Sequence, residues 1–191
     1  MTHSRTADER RRRLAEKISR CIRTGDITLS SGKKTNFYFD GRLVTLDPEG
    51  SVLVGGIVLD ELERLGARAV GGLTSGADPI TSATGVLAWQ AGIPIELFFV
   101  RKQRKEHGTQ RRIEGPPLSP EGRAKIALVD DVLTTGGSIL EAREAILEEI
   151  GNAPRWAIVL VDREEGGRER LEEAGLEVLS VFRRSDFLGK Q

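Results

Sequence analysis

Very little in this chain can cross-link or ligate a transition metal. Its 191 residues include one cysteine, Cys21, and two histidines, His3 and His107. A single thiol excludes an internal disulfide and any cysteine-based zinc cluster. With so few soft ligands, a transition-metal site is not expected. A reducing, cytoplasmic setting fits this thiol usage. Charge of one sign is also missing: 29 Lys and Arg balance 29 Asp and Glu, for a net of zero. General nucleic-acid binders carry a basic surplus, so global electrostatics argues against that role. The longest nearly uninterrupted apolar stretch, VLVGGIVL at 52–59, is far short of the ~20 residues of a spanning helix. No apolar segment suited to a secretory signal is visible near the N-terminus.

What is present is a globular composition, 38% apolar and 30% charged, with neither the bias of a disordered chain nor that of a membrane protein. Leu14, Ile18, Cys21 and Ile22 predict an amphipathic helix over 6–24, with Gly25 as its stop. The run Arg10–Arg13 reads either as a solvated face of that helix, diluted by Glu9 and Glu16, or as a nucleic-acid patch. Two short strands flank a Ser-Ser-Gly turn within 26–42. A helix at 49–65 closes on Gly66. Strands and helices then alternate: strands at 68–73, 95–100, 125–130, 156–162 and 176–182, helices at 79–91, 137–150 and 168–174, and a long polar stretch at 101–123. The runs LFFV, IALV and AIVLV do not alternate with polar residues, which marks strands buried on both faces of a parallel sheet. The expected fold is α/β, a doubly wound, mainly parallel five-stranded sheet flanked by helices. In such sheets ligands bind beyond the carboxyl ends of the strands.

The strongest chemistry lies at one such end. ALVDDVLTTGGSI (127–139) is a buried strand, two carboxylates, and a glycine turn that opens a helix. Unpaired amides at a helix start, reinforced by the helix dipole, cradle phosphate, and Thr134, Thr135 and Ser138 add hydroxyls to the backbone of Gly136 and Gly137. Asp130 and Asp131 would repel a bare phosphate but suit hydroxyls, so the segment reads as a sugar-phosphate site. There is no G-x-x-x-x-G-K-[ST] and no G-x-G-x-x-G, so neither a Walker loop nor a standard dinucleotide fold is indicated.

This stretch closely resembles the phosphoribosyl-diphosphate (PRPP) motif of the type I phosphoribosyltransferases, and three further segments are similar to the orotate branch of that family. SSGKKTNFYFDGR (30–42) resembles its N-terminal signature, which implies a small N-terminal hood in which Ser31, Gly32, Lys33, Phe37 and Tyr38 meet the base. FFVRKQRKEHGTQRRIEG (98–115) resembles its long, flexible catalytic loop, which implies that Arg101, Lys102, Lys105 and His107 face the diphosphate. VLVDREEGG (159–167) implies that Arg163 meets the orotate carboxylate; the alternative is a salt bridge from Arg163 to Glu164 or Glu165. GGLTSGADPI (71–80) aligns with the loop that approaches the diphosphate, through Ser75 and Gly76. Serine stands at 75 and at 30, where many relatives carry lysine.

The resemblance implies one phosphoribosyltransferase domain over 1–191, divided into an N-terminal helix and hood (1–45) and an α/β core (46–185). It implies transfer of phosphoribosyl from PRPP to orotate, with Asp130, Asp131 and residues 134–138 on PRPP. Mg2+ would be held mainly by PRPP and water, with no metal ligand assigned in the chain. It also implies a homodimer in which loop 101–115 reaches the neighbouring site, with no nucleic-acid or membrane partner. A phosphoribosyltransferase for another base and a PRPP-sensing regulator are the competing readings.

Overall fold

The runs IALV and AIVLV form the middle of a sheet, buried on both faces, whereas LFFV lies beside the sheet's edge with Leu97 and Phe99 only half-buried. The structure is a computed structural model that describes residues 2–28, 32, 34–104 and 111–188. Helix α1 (Thr2–Cys21) leads into an antiparallel hairpin of β1 (Arg23–Thr28) and β2 (Lys34–Tyr38). Next come α2 (Arg42–Thr45), α3 (Pro48–Leu65), β3 (Ala69–Leu73), α4 (Ala77–Ala91), β4 (Glu96–Val100), β5 (Ile113–Glu114) and α5 (Pro120–Ala124). The chain closes with β6 (Ile126–Leu133), α6 (Gly137–Ile150), β7 (Trp156–Asp162), α7 (Gly167–Glu173) and β8 (Glu177–Arg183).

The main sheet has the order β5-β4-β3-β6-β7-β8. Its neighbours are parallel except for β4 and β5. A mainly parallel sheet of five strands was expected; the sheet is mainly parallel, and its sixth strand is a correction. β5 is two residues that pair with Val100 and Phe99, too short to show a period inside a polar stretch. Along β6, Ile126 and Leu128 enter one apolar cluster while Ala127 and Val129 enter the other. Both faces are therefore covered. Leu14 and Ile18 of α1 are fully buried with Val54 and Ile57 of α3, so the N-terminal helix is part of the core.

Local chemistry sets several element ends. The Asp47 carboxylate accepts from the Gly50 amide at the start of α3, Pro48 follows it, and Gly66 ends the helix in the left-handed region. These are a side-chain cap, a first-turn proline and a C-terminal glycine. Gly25 is not the stop of α1, which ends at Cys21. It adopts φ 112° where the β1–β2 register slips between Thr24 and Ile27, and serves a bulge instead. Among the described residues no helix is long and apolar enough to cross a membrane.

The chain runs from β3 outward to β4, then returns to place β6 on the other side of β3. This reversal leaves a crevice at the carboxyl ends of β3 and β6, where ligands of open α/β sheets bind. Truncating the fully buried Leu128 to alanine is expected to cost about 2–5 kcal/mol. Urea denaturation should show this as an earlier midpoint with an unchanged slope.

Candidate active site

The acidic pair sits at that crevice, still within the sheet. β6 was expected to end at Asp130, but its ladder to β7 continues through Val132–Val161 to Leu133–Asp162. The charged residues do not end the strand: Asp130 still pairs with Val159 and the ladder resumes at Val132, while both carboxylates turn to the crevice. Asp130 is 8% exposed and its carboxylate accepts from the Asp131 amide at 3.0 Å. Among the described residues neither aspartate is in an ion pair. Desolvation, with Asp131 beside it, pushes Asp130 up to about 8, and burial also raises Asp131.

Two glycines make room for the pair. A Cβ on Gly76 would lie 2.5 Å from Asp130 Oδ1 and 2.9 Å from Asp131 Oδ1. A Cβ on Gly41, just beyond the hairpin, would lie 2.6 Å from Asp131 Cβ. The turn after β3 and the end of the hood segment thus close on the carboxylates from two sides. The Thr74–Ser75 peptide in that turn is cis, and Ser75 is exposed.

Beyond β6, Thr134, Thr135 and Gly136 lead into α6. Gly136 is in the left-handed region at φ 75°, and no side chain caps the helix. Its first intrahelical bond runs from the Leu140 amide to Gly136 O. The amides of Gly137, Ser138 and Ile139 therefore have no partner within the helix. Thr135, Gly137 and Ser138 are exposed. Arg170 of α7 steadies the turn by donating to Thr135 O at 3.2 Å.

The two ends of the basic segment are anchored to α6. Arg112 bonds Glu141 at 2.6 Å and Arg101 O at 2.9 Å, the Arg112 amide donates to Glu149 at 2.7 Å, and Arg104 pairs with Glu148. Arg101 lies 3.6 Å from Glu114. Lys102, exposed, is near enough to Asp130 to favour its ionised form.

At the end of β7, the Arg163 amide is fixed to Leu133 O at 2.9 Å. Its side chain turns back to the hood, where Nη2 donates to Phe37 O at 3.2 Å and Thr35 Oγ1 at 3.3 Å. Nη2 also pairs with Glu165 at 2.7 Å. A cavity of about 490 Å³ lies alongside, between Thr35, Thr135, Glu165 and Arg184.

No protein-family model matches the chain. Curated relatives do. An orotate phosphoribosyltransferase of Rhodopseudomonas palustris is 40% identical over 180 residues, spanning 93% of this chain and 96% of its own. The orotate phosphoribosyltransferase of Mycobacterium tuberculosis, solved with Fe(III) dicitrate, superposes with a TM-score of 0.79 at 36% identity over 94% of this chain and 99% of that one. The same enzyme solved with PRPP gives 0.75 at 33% identity, over 93% and 98%. The chain belongs to the orotate phosphoribosyltransferase family. It is a phosphoribosyl-transferring enzyme.

Of the residues singled out by the family's motifs, Asp130, Asp131 and Gly76 meet at the crevice, the turn 134–138 follows directly on β6, and Lys102 lies nearby. Ser31, Lys33, Lys105 and His107 lie outside the described residues, while Gly32 is exposed. Phe37 corrects an expectation. Its ring is 0% exposed within the core and lies under the Arg184 guanidinium at 5.8 Å, so it has no face for a base. Strand alternation turns Tyr38 the other way and leaves it half-buried. Thr35, Gly41 and Glu165 were not singled out. A period of two from Phe37 would have put Thr35 on its side of β2, but Gly41 and Glu165 carry no local signal.

The Asp130 value lies above its ordinary 3.8, so the native state holds that proton more tightly than the unfolded chain does. The stability cost of ionising it grows as pH rises, and is complete above about pH 8. Asp130→Asn is therefore expected to melt above the parent. The gap should widen from about pH 4 to about pH 8 and then level, as read by thermal melts across a pH series.

Proposed function

We propose that this chain joins the 5-phosphoribosyl group of PRPP to orotate, giving orotidine 5′-monophosphate and diphosphate in pyrimidine biosynthesis. The observation that carries this reading is the meeting of a buried carboxylate pair with an uncapped helix start at the switch point. One end suits the ribose 2′ and 3′ hydroxyls, as acceptor. The other suits the 5′-phosphate, as donor. The C1–oxygen bond to diphosphate breaks, C1 gains oxocarbenium character, the C1–N1 bond to orotate forms, and the N1 proton is lost.

No side-chain nucleophile is needed. The chain's task is to neutralise the leaving group, a role for Arg101, Lys102, Lys105 and His107. Magnesium would arrive with PRPP, since this ion favours phosphate oxygens and water over a dedicated protein cage. When bound, it supplies positive charge to the departing diphosphate. Arg163 takes the orotate carboxylate, since its planar fork matches two oxygens. The carboxylate is what favours this reading over a base such as uracil.

Ion pairs along α1 support a solvated helix face over a nucleic-acid patch at Arg10–Arg13. Arg10 pairs with Asp60, Arg12 with Glu9 and Glu16, Arg13 with Glu49, and Arg11 bonds Val181 O. A panel of bases with PRPP and magnesium, followed by diphosphate release, tests the assignment: orotate should turn over and uracil should not. Lys105→Ala is expected to lower kcat by roughly 10²–10³ with the melting temperature kept. Normal turnover in that variant would misplace the leaving-group cation.

The homodimer belongs to the same proposal. Trp89 is 86% exposed and Val86 59%, on the rim of a cavity of about 540 Å³ that runs between α4 and the β4–β5 edge. Glu114 and Gly115 line that cavity, so a second copy seated there would lie beside the end of loop 101–115. That supports a loop serving the neighbouring site. Trp89→Glu should shift the light-scattering mass from dimer toward monomer; an unchanged mass would put the interface elsewhere.

A further inference from the structure

Arg163 already holds a carboxylate, and that carboxylate belongs to the chain. The residue is 8% exposed. Its Nη2 has two N–H donors and three acceptors within reach: Phe37 O, Thr35 Oγ1 and Glu165 Oε1, the last being nearest at 2.7 Å. Its Nε is buried with no hydrogen-bond partner. The guanidinium is thus oversubscribed at one nitrogen and undersupplied at another. A buried guanidinium without a counter-charge is strongly destabilising, which gives Glu165 a reason to be there in the unliganded chain.

Glu165 also forms part of the wall of the cavity of about 490 Å³, with Asp26, Lys34, Thr35, Thr135 and Arg184. A ligand that reaches Arg163 through this cavity passes Glu165. If the ligand carries a carboxylate, two negative groups contend for one cation.

We propose that Glu165 is an internal competitor for Arg163: it neutralises the guanidinium while the base site is empty and is displaced by the substrate's carboxylate. This rests on the assignment of Arg163 to orotate. Every carboxylated ligand then binds with an affinity reduced by the cost of releasing Glu165. A ligand without that group leaves the Arg163–Glu165 pair in place and is indifferent to it. Glu165 is a specificity-setting residue that acts through Arg163 and touches no reacting atom.

The test compares orotidine 5′-monophosphate with uridine 5′-monophosphate, which differ by the carboxylate alone. Glu165→Gln keeps the side chain's size and removes its charge. Calorimetry is expected to show orotidine 5′-monophosphate binding about tenfold tighter, a change of about 1.4 kcal/mol, with uridine 5′-monophosphate unchanged. In steady state the KM for orotate should fall, while kcat and the KM for PRPP stay within about twofold.

Equal shifts for the two nucleotides, or weaker binding of the carboxylated one, would overturn the proposal and make Glu165 a simple support. Should Glu165→Gln not fold, Glu165→Asp draws the charge back by one methylene and is expected to move the same ratio in the same direction. If the parent protein neither turns over orotate nor binds its nucleotide, the assignment of Arg163 fails as well. If it does both and the ratio does not move, only the competitor role fails.

Discussion

A carboxylate at the carboxyl end of a strand buried on both faces is held where water is scarce, and β6 carries two in succession. The ladder continues past them while their side chains crowd one crevice. That crowding sets the rest of the site. Gly76 and Gly41 have no space for a Cβ because the carboxylates fill it. The turn after β3 and the end of the hood segment are thereby drawn to the same point from opposite sides. The desolvated pair then favours a partner that donates hydrogen bonds, since hydroxyls satisfy a carboxylate without forcing a second charge into the crevice. A few residues on, the uncapped start of α6 offers amides to an anion. A sugar bearing a phosphate meets both demands at once, and neither half of the site would select it alone.

The sheet was legible because its strands repeat a simple rule. Unbroken apolar runs such as IALV and AIVLV mean burial on both faces, and the positions of β6 and β7 followed from that. The motif at 130–138 was legible because glycine, hydroxyl and carboxylate each have a separate physical use there. Other features depend on partners distant in sequence. β5 is two residues and exists only because Val100 and Phe99 lie beside it. Gly25 looks like a helix stop in a one-dimensional reading and becomes a bulge once β2 pairs with β1. Phe37 and Tyr38 were both expected at the base, yet strand alternation sends Phe37 into the core and leaves Tyr38 half-buried on the other side. That period of two is already present in the segment's sequence. Glu165 is one of two adjacent glutamates, and only the return of Arg163 toward Thr35 and Phe37 separates their roles. Glu164 instead binds Ser185.

The neutral total conceals how the charges are divided. Arg10, Arg12, Arg13 and Lys17 of α1 and Arg104 and Arg112 at the anchored ends of the basic segment find acidic partners within the chain, the last two on Glu148 and Glu141 of α6. Surface pairs of this kind add little stability; their effect is to remove charge from general use. Charge is handled differently at the crevice and beside it. Burial raises both aspartates, Asp130 up to about 8, and Arg163 takes up a glutamate. The buried acid can take a proton, whereas a guanidinium cannot release one. Arg163 must therefore be paired with something whenever its site is closed to water. If Arg163 is kept for a substrate's carboxylate, as proposed, Glu165 is the carboxylate the chain folds around in its place, and the two compete. The strength of the Arg163–Glu165 pair thus links the stability of the empty site to its affinity for a carboxylated ligand: tightening one weakens the other.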